Sequence, residues 1–186
     1  MILLRILKFI RYNTIPKFLY NITGKMPCKI IHLDDVPYLE RYYVGRLFNW
    51  TFYLHRFVSS DDERVVHDHP WNISISFILA GRYLEERFKW FNNGIEFTYH
   101  NLSAFGINVI RGGDFHRIKE PDPETWSLFC HSKRVKQWGF LKLLDDNNVM
   151  YYPKANQIAS AGWFQTAKIG NETITRDVYK YRYERS

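Results

Sequence analysis

Apolar and polar residues alternate along this chain with two different periods. Near the start, Leu3, Ile6, Leu7 and Ile10 fall on one side of a helix while Arg5, Lys8 and Arg11 fall largely elsewhere, which predicts an amphipathic helix. Pro16 and the stretch from Gly24 to Pro27 then break the regularity. A second short helix is predicted over Tyr38 to Tyr43, because Asp34 or Asp35 can cap it and Pro37 suits its first turn. From Trp50 the rhythm shortens. Segments become brief, aromatic and β-branched, with turn residues at Ser59 to Glu63, Asn92 to Gly94, Gly112 to Asp114 and Pro121 to Glu124. This spacing predicts a mainly β fold, an antiparallel sandwich or barrel over residues 50–140. Residues 1–45 are expected outside it as one or two helices, and residues 141–186 as a C-terminal extension. There Tyr179, Tyr181 and Tyr183 alternate with Lys180 and Arg182 like a late edge strand. No repeat or linker divides the 186 residues, so a single domain is expected, long enough to bury a core.

The chemistry concentrates at His67, Asp68, His69, Pro70 and Trp71. Two histidines one residue apart on a strand share a face, so both imidazoles can reach one ion. Ile73, Ile75, Phe77 and Leu79 continue that parity and predict a strand running into the interior and ending at Gly81. Pro70 predicts an edge or a bulge. Further on, Val109 to Ile118 reads as strand, glycine turn, strand, and brings His116 to the start of the returning strand. Three histidines so placed make a three-nitrogen site with room for water or substrate. Their blander use is as structural imidazoles filling a polar interior.

These residues resemble the cupins. His67, His69 and Gly81 fall on the first cupin motif at its usual spacing, and Gly113 with His116 on the second. The resemblance implies a cupin-type double-stranded β-helix, a jelly-roll barrel, holding one divalent metal. Two positions depart from the pattern: Ser74 stands where many cupins carry a glutamate ligand, and Arg111 where a proline is usual. A three-histidine site without the carboxylate is similar to that of some cupin dioxygenases. The wider pattern, Tyr53 to Phe57, Asp61-Asp62, His67 to Trp71, His116-Arg117, Trp126 to Phe129 and Trp138 to Phe140, resembles cupin-like proteins of bacteria and phages. Imidazole suits iron, nickel, copper and zinc alike. Fe(II) is what the resemblance implies, with Mn, Ni or Zn as alternatives, and a homodimer is implied by the same analogy.

Around the histidines further groups come into view. A hairpin of Tyr53 to Val58 with Arg64 to His69 would set His55 opposite His67 and Tyr53 opposite His69, as a fourth ligand, proton donors or substrate contacts. A one-residue change of register would instead turn Arg56 inward. Asp68, on the opposite parity, is expected to orient the turn or accept a supporting hydrogen bond. Glu85 and Glu86 are equal candidates for a carboxylate ligand. Arg82 and Arg111 lie close in sequence to the two motifs, where a guanidinium would select an anionic substrate.

The formal charge of +7 points the same way, toward a small anionic partner. Nucleic acid is not the expected partner, because the basic aromatic alternation near the C-terminus reads first as an edge strand. Cys28 and Cys130 are too few for a disulfide framework and are expected reduced. The apolar start is too short to span a bilayer and lacks a cleavage site, which predicts a cytoplasmic protein. The function expected is that of a mononuclear metal enzyme, dioxygenase-like, acting on a small anion. The alternatives are a non-redox ligand-binding cupin and a metal-free sugar-nucleotide isomerase or epimerase.

Overall fold

The structure, a computed structural model, describes residues 14–33, 36–59, 65–91, 94–144, 148–153 and 162–173. The expected helix at Leu3 to Ile10 and the alternation at Tyr179 to Tyr183 lie outside these residues. Helix α1 (Ile15–Thr23) is followed by β1 (Cys28–Leu33), β2 (Val36–Leu47), β3 (Trp50–Phe57), β4 (Val65–His67), β5 (Ile73–Ala80) and β6 (Arg82–Phe91). Then come β7 (Gly94–Ser103), β8 (Ile107–Arg111), β9 (Phe115–Lys119), β10 (Thr125–His131), β11 (Gly139–Leu143) and β12 (Val149–Pro153).

The strands form two six-stranded sheets, ordered β1-β2-β3-β10-β5-β8 and β12-β11-β4-β9-β6-β7. Their pairings are nested: β6 with β7, β5 with β8, β4 with β9 and β3 with β10, all antiparallel. One long hairpin rolled up about its tip gives this pattern, with successive strands falling in alternate sheets. That is a jelly roll. Its interior is closed at one level by Leu39, Phe57 and Ile78 of the first sheet against Tyr83 and Ile118 of the second. The outer face of the first sheet is apolar too, and α1 lies on it, with Leu19 packed among Tyr42, Leu54, Ala80 and Trp126. Pro16, read from sequence as a break, occupies the first turn of α1, where a missing N–H leaves no bond unmade.

The predicted helix over Tyr38 to Tyr43 is a strand, β2. Both of its faces are needed. Leu39, Arg41 and Tyr43 alternate with Glu40 and Tyr42, and Tyr42 is buried beneath α1, so the sheet has a use for large side chains on either side. Pro37 sits at the register shift between Ile31 and His32, where a proline is tolerated. The expected parity of β5 is also reversed. Ser74, Ser76, Ile78 and Ala80 are the buried set, while Ile73, Ile75, Phe77 and Leu79 are only partly covered. The alternation is reset between His69 and Ile73, because β4 ends at His67 and the chain runs irregularly past Pro70. Gly81 makes the passage from β5 to β6 at φ 72°, and a Cβ there would stand 2.7 Å from the Thr125 Cα. Glycine is required on both counts. Among the described residues no helix is long and apolar enough to cross a membrane.

Candidate metal centre

The rolled topology explains how the three histidines meet. β4 and β9 are neighbours in the second sheet, and His67 stands directly opposite His116 in their register. His69, just past the end of β4, turns to the same side. The turn at Gly112-Gly113 does not fold β9 back on β8, as a local hairpin would; it carries the chain from the first sheet to the second. Gly112 passes so close to the segment after the histidine pair that a Cβ would lie 2.4 Å from the Trp71 carbonyl oxygen. This contact ties the two halves of the site together.

One nitrogen from each of His67, His69 and His116 falls within a group spanning 4.8 Å. Their ring centres form a triangle of 5.5, 4.8 and 4.9 Å. The Nε2 atoms of His69 and His116 are 2.8 Å apart. Two nitrogens bound at right angles to one ion at about 2.0–2.1 Å would stand about 2.9 Å apart, so this pair of donors is already at ligand spacing. Burial, with His116 and His67 alongside, pushes the His69 imidazole well below its ordinary value and keeps it in the neutral form a metal needs. Three imidazoles with no acidic ligand in their group fit a divalent transition metal.

Glu85 stands behind this triangle and not in it. Its Oε1 meets His116 Nδ1 at 2.7 Å, leaving Nε2 with its lone pair toward the other histidines. Asn108 Nδ2 donates to the same oxygen at 2.9 Å, and Arg87 Nε donates to Oε2 at 2.8 Å. Burial alone would raise the Glu85 carboxyl; these bonds and the positive charge of Arg87 outweigh it and hold the group at about 2. Glu86, on the opposite parity, turns to the other face and pairs with Arg117. The two glutamates are therefore not equivalent, and neither is in the ligand group. Glu85→Gln is expected to weaken metal affinity by roughly 10–100-fold, the usual effect of losing a supporting carboxylate. Competition against a chromophoric chelator measures it, and unchanged affinity would contradict the assignment.

Asp68 behaves as its parity suggests. Its Oδ1 accepts from the Gly139 N–H at 2.7 Å and its Oδ2 pairs with Lys136, which pins the histidine segment to the start of β11. Ser74 faces inward, but its hydroxyl lies beside the Ile110 carbonyl at 3.5 Å and belongs to no ligand group.

The proposed hairpin of β3 with β4 does not form. β3 pairs with β2 and β10 in the first sheet, so His55 opposes Arg41 and Ser127, not His67. His55 and Tyr53 still point inward, from the opposite wall, and Arg56 points outward. The His55 ring stacks on Phe129 at 4.6 Å, and Phe129 lies 6.0 Å from the His69 ring. Burial raises the Tyr53 hydroxyl above its ordinary value, so it keeps its proton.

Arg82 and Arg111 do not line this interior. Arg82 shares the outward parity of Glu86, its side chain is 70 % exposed, and it pairs with Asp122. Arg111 takes the exposed parity of β8, opposite to buried Asn108 and Ile110, and borders a surface cavity of about 920 Å³ with Asp68, Arg87 and Lys136. Among the described residues the cations on the inward faces include Arg87, committed to Glu85, Arg41, and Arg46, which shares a face with His131 but is exposed. Arg41 escaped the sequence reading because β2 was read as a helix. His131 escaped it as well: it stacks on Trp71 at 3.8 Å, and the alternation Ser127, Phe129, His131 along β10 is the signal that marks it.

Burial, with Arg41 and Arg46 nearby, pushes His131 down to about 4 despite its bond to the Ser132 carbonyl, and burial, with Arg41 and His131 nearby, holds His55 well below its ordinary value. Both bind protons more readily unfolded than folded. Stability of the metal-free protein is therefore expected to fall as pH drops from about 6.5 toward about 4. Urea midpoints across that range test this; a flat profile would count against it.

Fold and site together define a jelly-roll protein with a three-histidine constellation suited to one metal ion. No protein-family profile matches the chain, and no curated protein matches it in sequence. Solved structures with a similar strand arrangement include Fe(II)-HppE with the alternative substrate (S)-1-HPP, at TM-score 0.46 and 10% identity over 60% of this chain and 57% of that one. HEPD of Streptomyces albus, with 2-hydroxyethylphosphonate and Fe(II) bound, aligns at TM-score 0.47 and 9% identity over 59% of this chain and 24% of that one. A cupin-2 domain containing protein of Shewanella frigidimarina aligns at TM-score 0.36 and 15% identity over 50% and 79%. The chain thus spans a little over half the length of the first and about a quarter of the second.

Proposed function

We propose that this protein is a mononuclear, metal-dependent enzyme of cupin type, in which His67, His69 and His116 hold Fe(II) and a small anionic molecule is the substrate. The observation that carries the reading is the convergence of three imidazoles from separate motifs, with Glu85 fixing the ring of one from behind. The preference for iron rests on the resemblance of the histidine motifs to cupin dioxygenases. Bound there, the ion supplies Lewis acidity and, as Fe(II), electrons for dioxygen.

The chain's own residues do the rest. Glu85 keeps His116 in the tautomer that presents Nε2. Trp138 stacks on His67 at 5.6 Å and Trp71 on His69 at 5.2 Å, restricting water around the imidazoles. Tyr53 offers an interior acid and neutral His55 an interior base, on the wall facing the histidines. The anionic substrate, first attached to Arg82 and Arg111, finds its support in Arg41. Elemental analysis of protein purified without a histidine tag, followed by oxygen uptake with panels of small acids, tests the reading. One equivalent of iron and acid-dependent oxygen consumption are expected. Turnover by stoichiometrically metal-free protein would replace this reading with the isomerase one.

A further inference from the structure

Among the described residues, the inner wall opposite the histidines holds a charge without a counter-charge. Arg41 projects from β2 toward the interior, half-buried, with its guanidinium 5.2 Å from the Tyr53 ring centre and 6.0 Å from that of Phe129. Its Nε donates to His55 Nε2 at 3.0 Å. Among the described residues it has no carboxylate partner, whereas the inward Arg87 of the second sheet is paired with Glu85. An interior guanidinium bonded only to a neutral imidazole has exchanged water for little. Its two terminal nitrogens form a fork that fits a planar oxyanion end-on.

We infer that Arg41 is the seat of a substrate carboxylate, held bidentately by its terminal nitrogens between Tyr53 and Phe129, with the rest of the substrate extending past Phe129 toward the three histidines. The assignment rests on the metal-enzyme reading for its purpose, though not for its test. Phe129 links the two places, since the His69 ring centre is also 6.0 Å from it.

Charge balance selects the class of anion. His55 and His131 are held neutral and Arg46, on the same face, is exposed to solvent, so the covered part of this wall offers the single charge of Arg41, which a monoanionic carboxylate matches and a phosphate dianion exceeds. The aromatic walls suit a flat group as well. On the other side of His55 in the register, Ser127 Oγ is buried with no hydrogen-bond partner among the described residues. An occupant bearing a further oxygen would satisfy it.

The test uses metal-free full-length protein, so that it does not depend on the histidine site. Acetate, benzoate and inorganic phosphate are titrated by calorimetry and by thermal shift into wild type, Arg41→Met, Arg41→Lys and His67→Ala. Wild type and His67→Ala are expected to bind both carboxylates in preference to phosphate. Arg41→Met is expected to lose at least about tenfold in affinity, and Arg41→Lys to recover only part of it, because a point charge cannot fork. Arg41→Met is also expected to melt no lower than wild type without ligand, since it removes an uncompensated charge; a merely structural arginine would show a fall. Equal carboxylate affinity in wild type and Arg41→Met would overturn the assignment, as would no binding to wild type. Arg41-dependent preference for phosphate would overturn the carboxylate class. Failure to bind metal, with carboxylate binding still lost in Arg41→Met, would remove the enzyme reading and leave this site standing.

Discussion

His116→Ala is expected to abolish stoichiometric metal binding, lowering affinity by more than roughly a hundredfold, the upper range for losing a mere supporting group. A two-nitrogen remnant of His67 and His69 cannot hold an ion the way three converging imidazoles do. The substitution has a second effect that His67→Ala lacks. It leaves the Glu85 carboxylate, fully buried, without its partner at 2.7 Å, so the metal-free variant is expected to lose about 1–3 kcal/mol of stability as well. Asn108 and Arg87 still bond Glu85, which keeps the loss from being larger. Ser74→Ala, at the position where a carboxylate ligand would be expected, should change metal affinity little, because its hydroxyl lies against the Ile110 carbonyl. Metal content after dialysis and calorimetric melting separate the two effects. A His67→Ala, His69→Ala double variant that kept one equivalent of metal would place the site elsewhere.

The three histidines of the candidate site were legible in the sequence because two local spacings carry them: alternation between His67 and His69, and a glycine turn ahead of His116. Their meeting was not a local property. β4 and β9 are brought side by side by the nested pairing, and a reader of consecutive segments pairs β3 with β4 and β8 with β9 instead. The inward direction of His55 and Tyr53 was anticipated for a reason that does not hold; they face the histidines from the opposite sheet. Parity failed wherever the backbone left the ladder. Past Pro70 the inward set became Ser74, Ser76 and Ile78, a polar pattern that looks like an exposed face until the interior is known to be a polar site. Glu85 and Glu86 could not be ranked without the strand direction, though alternation from Tyr83 would have favoured Glu85. Arg41 was lost to the capping and proline signals around Asp34, Asp35 and Pro37, which a twelve-residue strand buried on both faces overrode.

Arg56→Met is expected to be the most destabilising single change on the far side of the same sheet, by about 3–5 kcal/mol. Arg56 has no exposed side-chain surface, and it bridges two carboxylates: Nη1 to Glu40 Oε2 at 2.9 Å and Nη2 to Glu124 Oε1 at 3.0 Å. Tyr42 donates to the same Glu40 oxygen at 2.6 Å, and Trp126 Nε1 to Glu124 at 3.3 Å. Trp126 and Tyr20 stand over the guanidinium at 5.8 and 5.6 Å, so α1 is seated on this network through Tyr20. Without Arg56, two buried carboxylates remain beneath the helix, with the Tyr42 hydroxyl still donating to one and the Trp126 indole N–H to the other. Buried carboxylates stripped of their guanidinium are far more costly than an intact pair, and that cost is the expected loss. Restoring charge balance by Arg56→Met with Glu40→Gln and Glu124→Gln should regain much of the loss, whereas Arg56→Lys, which cannot fork between the two acids, should regain little. Guanidinium denaturation of the four proteins decides the matter: a triple variant no more stable than Arg56→Met would show that the two glutamates do not depend on this arginine.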